Sequence, residues 1–278
     1  MNIVCCLKQV PDTMQVKIDP DTNTLVREGV EAILNPYDLV ALEQAARLCR
    51  IHGGRITAVC MGPPQAETIL RQALAMGARR AILLSDRAFA GADTLATSYT
   101  LAKAIEKIAA DAPVDLVLTG KQAIDGDTAQ TGPGIATRLK FTQLTYVVQV
   151  TRVDPAAGTI EVLRRLEGGN ERVRGRLPAL LTVELELARP HRVPLPDLMA
   201  SLTAPVTVWD AAAIGAQPGM IGIKGSPTWV RRITAPAPRH GGPRFKASGG
   251  TAAAVAQLLD TLLADAGFAA ALRNRWGA

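Results

Sequence analysis

The sequence predicts an α/β fold: a doubly wound, mostly parallel, Rossmann-like sheet with antiparallel additions at one edge and an extended C-terminal arm. Short apolar segments alternate with amphipathic helical segments up to about residue 140, which is the pattern of a parallel sheet covered by helices. Aromatic residues are only 4% of the chain, whereas Ala, Val, Leu and Ile are abundant, as is typical of such sheets. From about Ala188 the chain becomes rich in Pro, Ala and Arg, which predicts the arm.

The first half of the chain supplies the parallel strands and their helices. MNIVCCLKQ predicts a buried strand, and DPDTNT predicts the turn of a small hairpin. Asn35 and Pro36 fit the N-cap and first position of a helix that Gly53-Gly54 ends. Three further strands are predicted at RITAVCMG, RAILLSD and VDLVLTG. Helices are predicted between them at PQAETILRQALAMG and TLATSYTLAKAIEKIAA, the second capped by Asp93.

The second half of the chain has a different rhythm. YVVQVTRV, GTIEVLRRL, ERVRGRL and ALLTVELELA are β-like, and we expect them to form the antiparallel additions. The arm ends in an apolar-periodic helix from about Thr251 to Ala266, and we expect it to be ordered by packing on another surface. A flexible tail is the alternative. We therefore divide the chain into an α/β domain (1–190) and a loop with the arm (191–278).

Composition argues against several classes of function. The formal net charge is +6, but basic runs interleaved with aromatics are missing, so we expect a partner surface or a phosphate-bearing ligand rather than nucleic acid. The three histidines, at 52, 191 and 240, have no paired Ser, Cys or acid at suggestive spacing, so neither a metal site nor a catalytic residue is predicted. No CxxC pair, signal peptide or membrane span is recognised, and we expect a cytoplasmic protein with reduced cysteines.

The stretch TGKQAIDGDTAQTGPG (119–134) is the strongest candidate for a binding site. It follows the strand DLVLTG, and ligands of open α/β sheets bind beyond the carboxyl ends of strands, where helix N-termini present free N–H groups. Gly120 and Gly126 permit close approaches, and Asp127 or Thr128 would cap the next helix. The N–H groups of residues 129–132 would then face a phosphate, while the acids suit a ribose hydroxyl or a capping role. A merely well-capped loop is the alternative.

Two other strand ends have a similar composition. KQVPD (8–12) closes the first strand and CMGPPQAET (60–68) closes the second, and each places Pro or Gly with short polar groups at the same edge. A crevice framed by three strand ends is a better candidate for a ligand site than one loop.

Together these segments resemble the beta subunit of electron transfer flavoproteins. KQVPD, NPYDLVALEQA, ALAMGA, DLVLTGKQAIDGDTAQTGP, RRLEGG and LPAL occur in that family's order, and the resemblance covers almost the whole chain. It implies an adenine-nucleotide-binding α/β domain that forms a heterodimer with a larger alpha subunit, which the C-terminal arm wraps. A mobile FAD belongs mainly to the alpha subunit.

The family has two sorts, which differ in what the beta subunit binds. In ordinary carriers the beta subunit holds a structural AMP. In the bifurcating sort, the nitrogen-fixation and anaerobe-like group, it holds a second FAD that takes a hydride from NADH and sends the two electrons in opposite directions. NPYD (35–38), IDGDTAQTGP (124–133) and GIKGSPT (222–228) resemble the bifurcating sort. Small Gly126 and Ala129 would leave more room for a dinucleotide than for AMP.

The resemblance implies a role for each matched residue in binding the cofactor. The residues near the adenosine would be Val10, Asp12, Cys60 and Gly62. The residues at the ribose and phosphates would be Asp125, Asp127, Thr128, Gln130 and Thr131, with Gly120 and Ala129 beside them. The residues toward the flavin would be Asn35, Tyr37 and Asp38. For Tyr37 and Asp38 the alternative is packing and capping at the start of a helix.

The resemblance also implies two partner surfaces. Arg164 and Arg165 would lie where the family meets the alpha-subunit flavin, with a solvated cross-strand pair as the alternative. HRVPLPDLMAS (191–201) matches the docking loop for partner dehydrogenases, with Leu195 and Met199 as its apolar anchors. The basic run that often follows this loop is replaced by LTAPVTV, a departure from carriers that serve acyl-CoA dehydrogenases.

We therefore expect an electron-transfer subunit that binds FAD and passes electrons from NADH or a dehydrogenase to quinone-linked or acyl-CoA dehydrogenase-type partners, by flavin-based bifurcation. Any NADH oxidation would be chemistry of the flavin within the complex. The first alternative is the AMP-binding subunit of an ordinary carrier. The second is a nucleotide-binding regulatory module on a related sheet, against which the basic arm and the LPDLM loop argue.

Overall fold

The computed structural model describes residues 1–12, 17–18, 25–26, 31–229, 244–246 and 249–276. A nine-stranded sheet forms the core of its first unit, Met1–Thr234. In chain order the strands are β1 (Asn2–Leu7), β2 (Gln9–Pro11), β3 (Lys17–Ile18), β4 (Leu25–Val26), β5 (Ala32–Leu34), β6 (Arg55–Met61), β7 (Arg80–Leu84), β8 (Leu116–Gly120), β9 (Thr142–Asp154), β10 (Thr159–Leu166), β11 (Gly169–Arg176), β12 (Ala179–Val183) and β13 (Val206–Trp209). The helices are α1 (Pro36–His52), α2 (Glu67–Ala75), α3 (Thr94–Asp111), α4 (Thr131–Leu139), α5 (Leu195–Thr203), α6 (Thr251–Ala264) and α7 (Ala266–Trp276).

Local sequence signals set both ends of α1 and the start of α3. Pro36 is the first residue of α1, and the helix ends before Gly53, whose φ is 70°. The carboxylate of Asp93 caps α3, since its Oδ1 accepts the N–H groups of Leu95 and Ala96 at 3.0 and 3.1 Å. These starts and stops confirm the predicted ones, because they depend only on neighbouring residues.

The strand order is β11-β10-β9-β12-β8-β1-β6-β7-β13. In this order, each neighbouring pair of strands from β9 to β13 is parallel. The pairs β9–β10 and β10–β11 are antiparallel. The predicted α/β fold with antiparallel edge strands is confirmed. The expectation that ALLTVELELA belongs to the antiparallel part was wrong, because β12 is parallel to both of its neighbours. All five residues of β12 are buried, as in strands covered on both faces.

The chain crosses from one face of the sheet to the other at β1. It runs from β1 outward to β6 and β7, then returns to β8 on the other side of β1. Helices α1 and α2 pack on one face, with Leu42 and Leu70 in the same cluster as Ile3. Helices α3 and α4 pack on the other, with Ile105 and Ile135. Strands β1 and β8 therefore flank a topological switch point, where open α/β sheets leave a crevice beyond their carboxyl ends.

The segment after residue 190 adds a helix and a strand, α5 and β13, to the first unit, Met1–Thr234. The guanidinium of Arg71 on α2 donates to the carbonyl groups of Ser201 and Leu202 at the end of α5, at 2.9 and 2.7 Å, and β13 pairs with β7. The division of function at residue 190 stays a prediction. β3 and β4 pair antiparallel, but the turn predicted at DPDTNT (19–24) lies outside the described residues.

The second unit, Ala235–Ala278, contains α6 and α7. The helix predicted from about Thr251 to Ala266 is observed as α6, which ends at Ala264 and is followed directly by α7. In the part of the chain that is described, no single helix is both long and apolar enough to cross a membrane. Only α6 together with α7 up to Asn274 is long and apolar enough, and the two helices are bent by 90° relative to each other.

We expect Leu118→Ala to lower the free energy of unfolding by about 2–5 kcal/mol, because Leu118 lies on β8 with none of its surface exposed and a cavity would replace the side chain. Ile51→Ala is the matched control: its side chain, on α1, is 62% exposed, and surface substitutions cost only about 0.5 kcal/mol. Urea unfolding followed by circular dichroism measures both. Equal losses would contradict the described packing of β8.

Candidate functional site

A cavity of about 640 Å³ lies at the carboxyl edge of the sheet, at the switch point. Its wall is made by the end of β1 at Lys8, the end of β8 and the loop that follows it, the start of α1, the start of α3, and Thr228. A volume of this size is in the range of small-molecule and cofactor sites. The stretch 119–132 supplies much of the wall, as expected from the sequence.

Asp38 joins the two strand ends at this cavity. Its Oδ2 accepts the N–H of Lys8 at 2.9 Å, and its Oδ1 accepts the N–H of Gly120 at 2.8 Å. Burial raises the pKa of Asp38 to about 7, although the N–H donors and Asn35 act to lower it. The close approach of α1 to the end of β8 also requires a glycine at position 120. A Cβ there would lie 2.6 Å from Asp38 Oδ1 and 2.5 Å from the Cβ of Tyr37.

Asn35 is the N-cap residue of α1, as predicted, but its side chain makes no capping hydrogen bond. Its side-chain amide donates to the carbonyl of Gln122 at 2.9 Å, and its Oδ1 accepts the N–H of Ile124 at 3.3 Å. The residue is buried. Asn35 therefore fastens the loop after β8 to the start of α1. Because its own N–H donates to the carbonyl of Lys8 at 2.9 Å, it also links two of the three strand-end segments predicted from the sequence.

The loop between β8 and α4 holds two residues in the left-handed region. Asp127 has a φ of 48° and Ala129 a φ of 53°. Such conformations are uncommon outside glycine and persist where the surroundings fix them, often at functional sites. Gln122 holds part of the loop, since its amide donates to Asp127 Oδ1 at 2.8 Å.

Helix α4 starts later than the sequence indicates. Neither Asp127 nor Thr128 caps it, which corrects that expectation, because the loop turns at these residues and the helix begins at Thr131 with Gln130 as the N-cap. Gln130 makes no capping hydrogen bond, and its Oε1 accepts the hydroxyl of Thr94 at 2.9 Å instead. The first turn of α4 contains no acid. Its N–H groups therefore remain available to an anion.

The start of α3 differs from that of α4. The Oδ1 of Asp93 caps α3, while its Oδ2 accepts the N–H and hydroxyl of Thr228 at 3.1 and 2.8 Å. A carboxylate already occupies the positive end of α3. Of the two helix starts at the cavity on this face of the sheet, α4 is thus the one suited to a phosphate.

Two lysines that were not predicted from the sequence, Lys8 and Lys121, line the cavity. Lys8 contacts both carboxylate oxygens of Asp125, at 2.7 and 2.8 Å. Lys121 contacts Glu184 Oε1 at 3.0 Å. Both lysines directly follow buried strands, β1 and β8, and that position at a strand end is the signal that could have identified them.

The structure brings half of the predicted cofactor residues into the cavity wall. Those in the wall are Asn35, Asp38, Gly120, Thr128, Ala129, Gln130 and Thr131. Tyr37, Asp125 and Asp127 contact wall residues, namely Lys121, Lys8 and Gln122.

The remaining four predicted residues, Val10, Asp12, Cys60 and Gly62, are not among those that line the cavity. Val10 and Cys60 are buried, with 1% and 0% of their surface exposed. The N–H of Gly62 donates to the carbonyl of Leu84 at 3.0 Å, and that of Asp12 to the carbonyl of Glu31 at 2.8 Å. All fourteen cofactor roles stay predictions.

Arg164 and Arg165 are consecutive on β10 and therefore point to opposite faces. Arg164 donates to the hydroxyl of Thr145 at 3.1 Å, and its buried Nε has no hydrogen-bond partner among the described residues. Arg165 donates to Glu186 Oε1 at 2.8 Å, and both of these side chains are about half exposed. The two arginines do not form one cationic patch.

The predicted docking anchors are exposed on one face of α5. Leu195 and Met199 have 68% and 58% of their surface exposed, and Leu198 and Leu202 are exposed beside them. The spacing of these four residues, i, i+3, i+4 and i+7, places them on one side of a helix. They form an apolar stripe, which we call the α5 stripe.

His191, for which no acid partner was expected, contacts one. The Oε2 of buried Glu43 accepts the N–H of His191 at 3.2 Å and also contacts its Nδ1, and Arg50 donates to Glu43 Oε1 at 3.0 Å. Burial acts to raise the pKa of Glu43, but the hydrogen bonds from His191 and Arg50 lower it below its usual value. This cluster fixes the segment before α5 to α1.

The fold and the cavity place the chain among open α/β proteins with a ligand crevice at a switch point. Comparison with known families identifies it further. The Electron transfer flavoprotein domain matches residues 22–214, and the chain belongs to this family.

Individual relatives agree with this assignment. The chain is 54% identical over 241 residues to Protein FixA of Azotobacter vinelandii, covering 86% of this chain and 85% of that protein. It is 47% identical over 232 residues to Electron transfer flavoprotein subunit beta of Clostridium acetobutylicum, covering 84% and 87%. It is 49% identical over 243 residues to Caffeyl-CoA reductase-Etf complex subunit CarD of Acetobacterium woodii, covering 87% and 90%. The chain is thus of the beta-subunit and FixA type, and beta subunits of this family pair with an alpha subunit.

We expect Asp38 to make stability fall as the pH rises from about 4 to about 7. Its pKa in the folded protein, about 7, is above that of an unfolded aspartate, about 3.9. The carboxyl of the unfolded chain ionises first, so stability that is fully present below about pH 4 is lost progressively until the buried carboxyl has also ionised. Between about pH 4 and about pH 7 the unfolding free energy of the wild type should fall relative to that of Asp38→Asn, by up to about 1.4 kcal/mol per pH unit, and the difference should level off above about pH 7.

Unfolding in urea at a series of pH values measures this difference. Asp111→Asn is the matched control, because Asp111 is exposed at the end of α3. Parallel profiles for the wild type and Asp38→Asn would contradict the prediction.

Proposed function

We propose that this chain is the FAD-binding beta subunit of a heterodimeric electron transfer flavoprotein that works by flavin-based electron bifurcation. Electrons would arrive from NADH or a dehydrogenase and leave to partner oxidoreductases. The observation that carries the choice of FAD over AMP is the space at Gly126. This residue lines the cavity, and a Cβ added there would meet no atom within 4 Å. Packing within the chain does not require glycine at this position, whereas a large occupant would.

The residues in the wall fit such a cofactor. The free N–H groups at the start of α4 suit its phosphates, and Lys8 and Lys121 add positive charge. Asn35 fixes the loop against α1, and the carboxyl of Asp38 titrates near neutral pH because burial raises its pKa to about 7. When bound, FAD supplies the hydride and electron chemistry, and the chain supplies orientation and charge.

Two further parts of the chain would contact the alpha subunit. In the second unit, α6 exposes Val255, Leu259 and Leu263 at a spacing of four residues, which is one apolar face. An exposed apolar face of this kind is typical of a protein interface. In the first unit, exposed Arg165 is the better candidate of the predicted arginine pair for the alpha-subunit flavin, because Arg164 turns toward Thr145.

The redox partner would dock on the α5 stripe. Stiffening by Pro194 and Pro196, and anchoring by Arg71 at the end of the helix, reduce the ordering cost of docking. The Acetobacterium relative is named as a subunit of a caffeyl-CoA reductase complex, which supports an acyl-CoA dehydrogenase-type partner here; a quinone-linked partner would use the same stripe. We place the heterodimer in the cytoplasm, in keeping with its free cysteines, Cys5, Cys6, Cys49 and Cys60.

The nucleotides released by the denatured heterodimer test the proposal. We expect two FAD and no AMP for each heterodimer purified with its alpha subunit, measured by chromatography. One FAD and one AMP would contradict it and would make the cavity a structural nucleotide site of an ordinary carrier.

Gly126→Leu sharpens the same measurement. A leucine side chain would extend from the wall into the space left for FAD, so this variant should release one FAD. Gly219→Leu is its matched control, because a Cβ at Gly219 also meets no atom within 4 Å and Gly219 is not part of the wall. The control should still release two.

We expect Leu195→Gln combined with Met199→Gln to slow electron transfer to the partner oxidoreductase by at least about tenfold, since central apolar anchors contribute about 2 kcal/mol or more to docking. The nucleotide content of the heterodimer should not change. Reduction of the purified partner, followed by absorbance at varied partner concentration, measures the effect. Val208→Gln, at an exposed position on β13, is the control, and an equal loss there would contradict docking at α5.

A further inference from the structure

Lys121 is held at the cavity wall by a cage of fixed groups. Its ammonium lies 3.0 Å from Glu184 Oε1 and over the rings of Tyr37 and Tyr146, 5.7 and 5.6 Å from their centroids. Its N–H donates to the carbonyl of Val183 at 2.9 Å, which fixes the residue between the ends of β8 and β12. Burial acts to lower the pKa of Lys121, but Glu184 and the two tyrosines raise it above its usual value. The cage therefore keeps a charged ammonium in a defined place.

The backbone is distorted where it forms this cage. Tyr146 has a φ of 57°, a left-handed conformation that is a genuine outlier for a bulky residue. The pairing of β12 with β9 shifts register between Leu181 and Val183, and the N–H of Tyr146 donates to Thr182 Oγ1 at 3.1 Å. A strained conformation of this kind persists only where the surrounding structure holds it in place. Here it places the ring of Tyr146 next to the ammonium of Lys121.

Lys121 and the start of α4 belong to opposite sides of the sheet edge. Lys121 contacts Tyr37 at the start of α1, whose helix packs on one face, whereas α4 packs on the other. Both nevertheless line the same cavity. An occupant with a phosphate at the start of α4 has to extend across the edge of the sheet to reach Lys121.

We infer that Lys121 is a specificity-determining residue, which binds the part of FAD that AMP lacks and thereby favours FAD in this cavity. That part comprises a second phosphate, the ribityl chain and the flavin ring, all of which carry hydrogen-bond acceptors. An ammonium has three donors, and the described ion pair with Glu184 uses one of them, since the tyrosine rings offer only their faces. This inference rests on the proposed function, since it concerns how the chain selects FAD.

Competition between FAD and AMP in the purified heterodimer tests the inference. AMP is titrated into the heterodimer, and the FAD retained after filtration is counted, which needs no electron transfer. In Lys121→Met, the AMP concentration that displaces half of the FAD in this cavity should fall by about tenfold or more. This is the change in relative affinity expected when FAD loses one hydrogen bond from a charged donor. Lys121→Arg, which keeps the charge, should recover part of that loss.

A matched control separates this role from a loss of surface charge. Lys103 on α3 pairs with Glu106 outside the cavity, and Lys103→Met should leave the displacing concentration within about twofold, as expected for a surface substitution. Lys121→Gln, which keeps a polar group between the two rings, gives a second test if Lys121→Met does not assemble.

The outcomes distinguish the inference from the proposal on which it rests. A wild-type heterodimer that contains a single FAD overturns both. A wild type with two FAD whose Lys121→Met and Lys121→Gln variants require the same AMP concentration overturns the role of Lys121 alone. If Lys121 had only a structural role, its loss would weaken the binding of FAD and AMP equally. The AMP concentration that displaces half of the FAD would then not change.

Discussion

The carboxylate of Asp38 is the constraint on which the cavity depends. It accepts N–H groups from Lys8 and Gly120, at the ends of the two strands that flank the switch point. A buried N–H without a partner is destabilising, so the first turn of α1 cannot move away from either strand. The same turn begins next to Asn35, which holds the loop after β8, and includes Tyr37, on which Lys121 lies. The start of one helix thus positions a large part of the polar wall.

This arrangement explains why acids occur in a segment suited to phosphates. Free carboxylates would repel a phosphate, but each acid near the helix starts is already engaged by the chain. Asp125 is paired with Lys8, Asp127 accepts from Gln122, and Asp93 caps α3 and holds Thr228. The start of α4 carries no acid. An anionic ligand in the cavity would therefore meet N–H dipoles and lysines, while the acids fix the shape of the loop.

Local rules predicted much of the fold, and long-range contacts account for what they missed. The alternation of strands and helices, the Asp93 cap and the Pro36 start depend on residues within a few positions of each other. The pair of Lys8 with Asp125 joins residues 117 positions apart, His191 with Glu43 148, and Lys121 with Glu184 63. No periodicity or spacing reports such pairs. The sequence therefore located the cavity, and half of the residues predicted to bind the cofactor lie in its wall, but it did not select the two lysines there.

The glycines in the motifs differ in whether packing within the chain explains why the position has no side chain. Gly120 is required by the approach of α1, and a Cβ at Gly222 would lie 2.1 Å from the carbonyl oxygen of Ala88. At Gly225 a Cβ would lie 2.1 Å from the carbonyl carbon of Met220. Packing within the chain is sufficient to explain these glycines, so they carry little information about the ligand. Gly126 differs, because it lines the cavity and nothing in the chain fills the space beside it. Among these glycines, Gly126 is therefore the one on which our proposal of FAD rather than AMP rests.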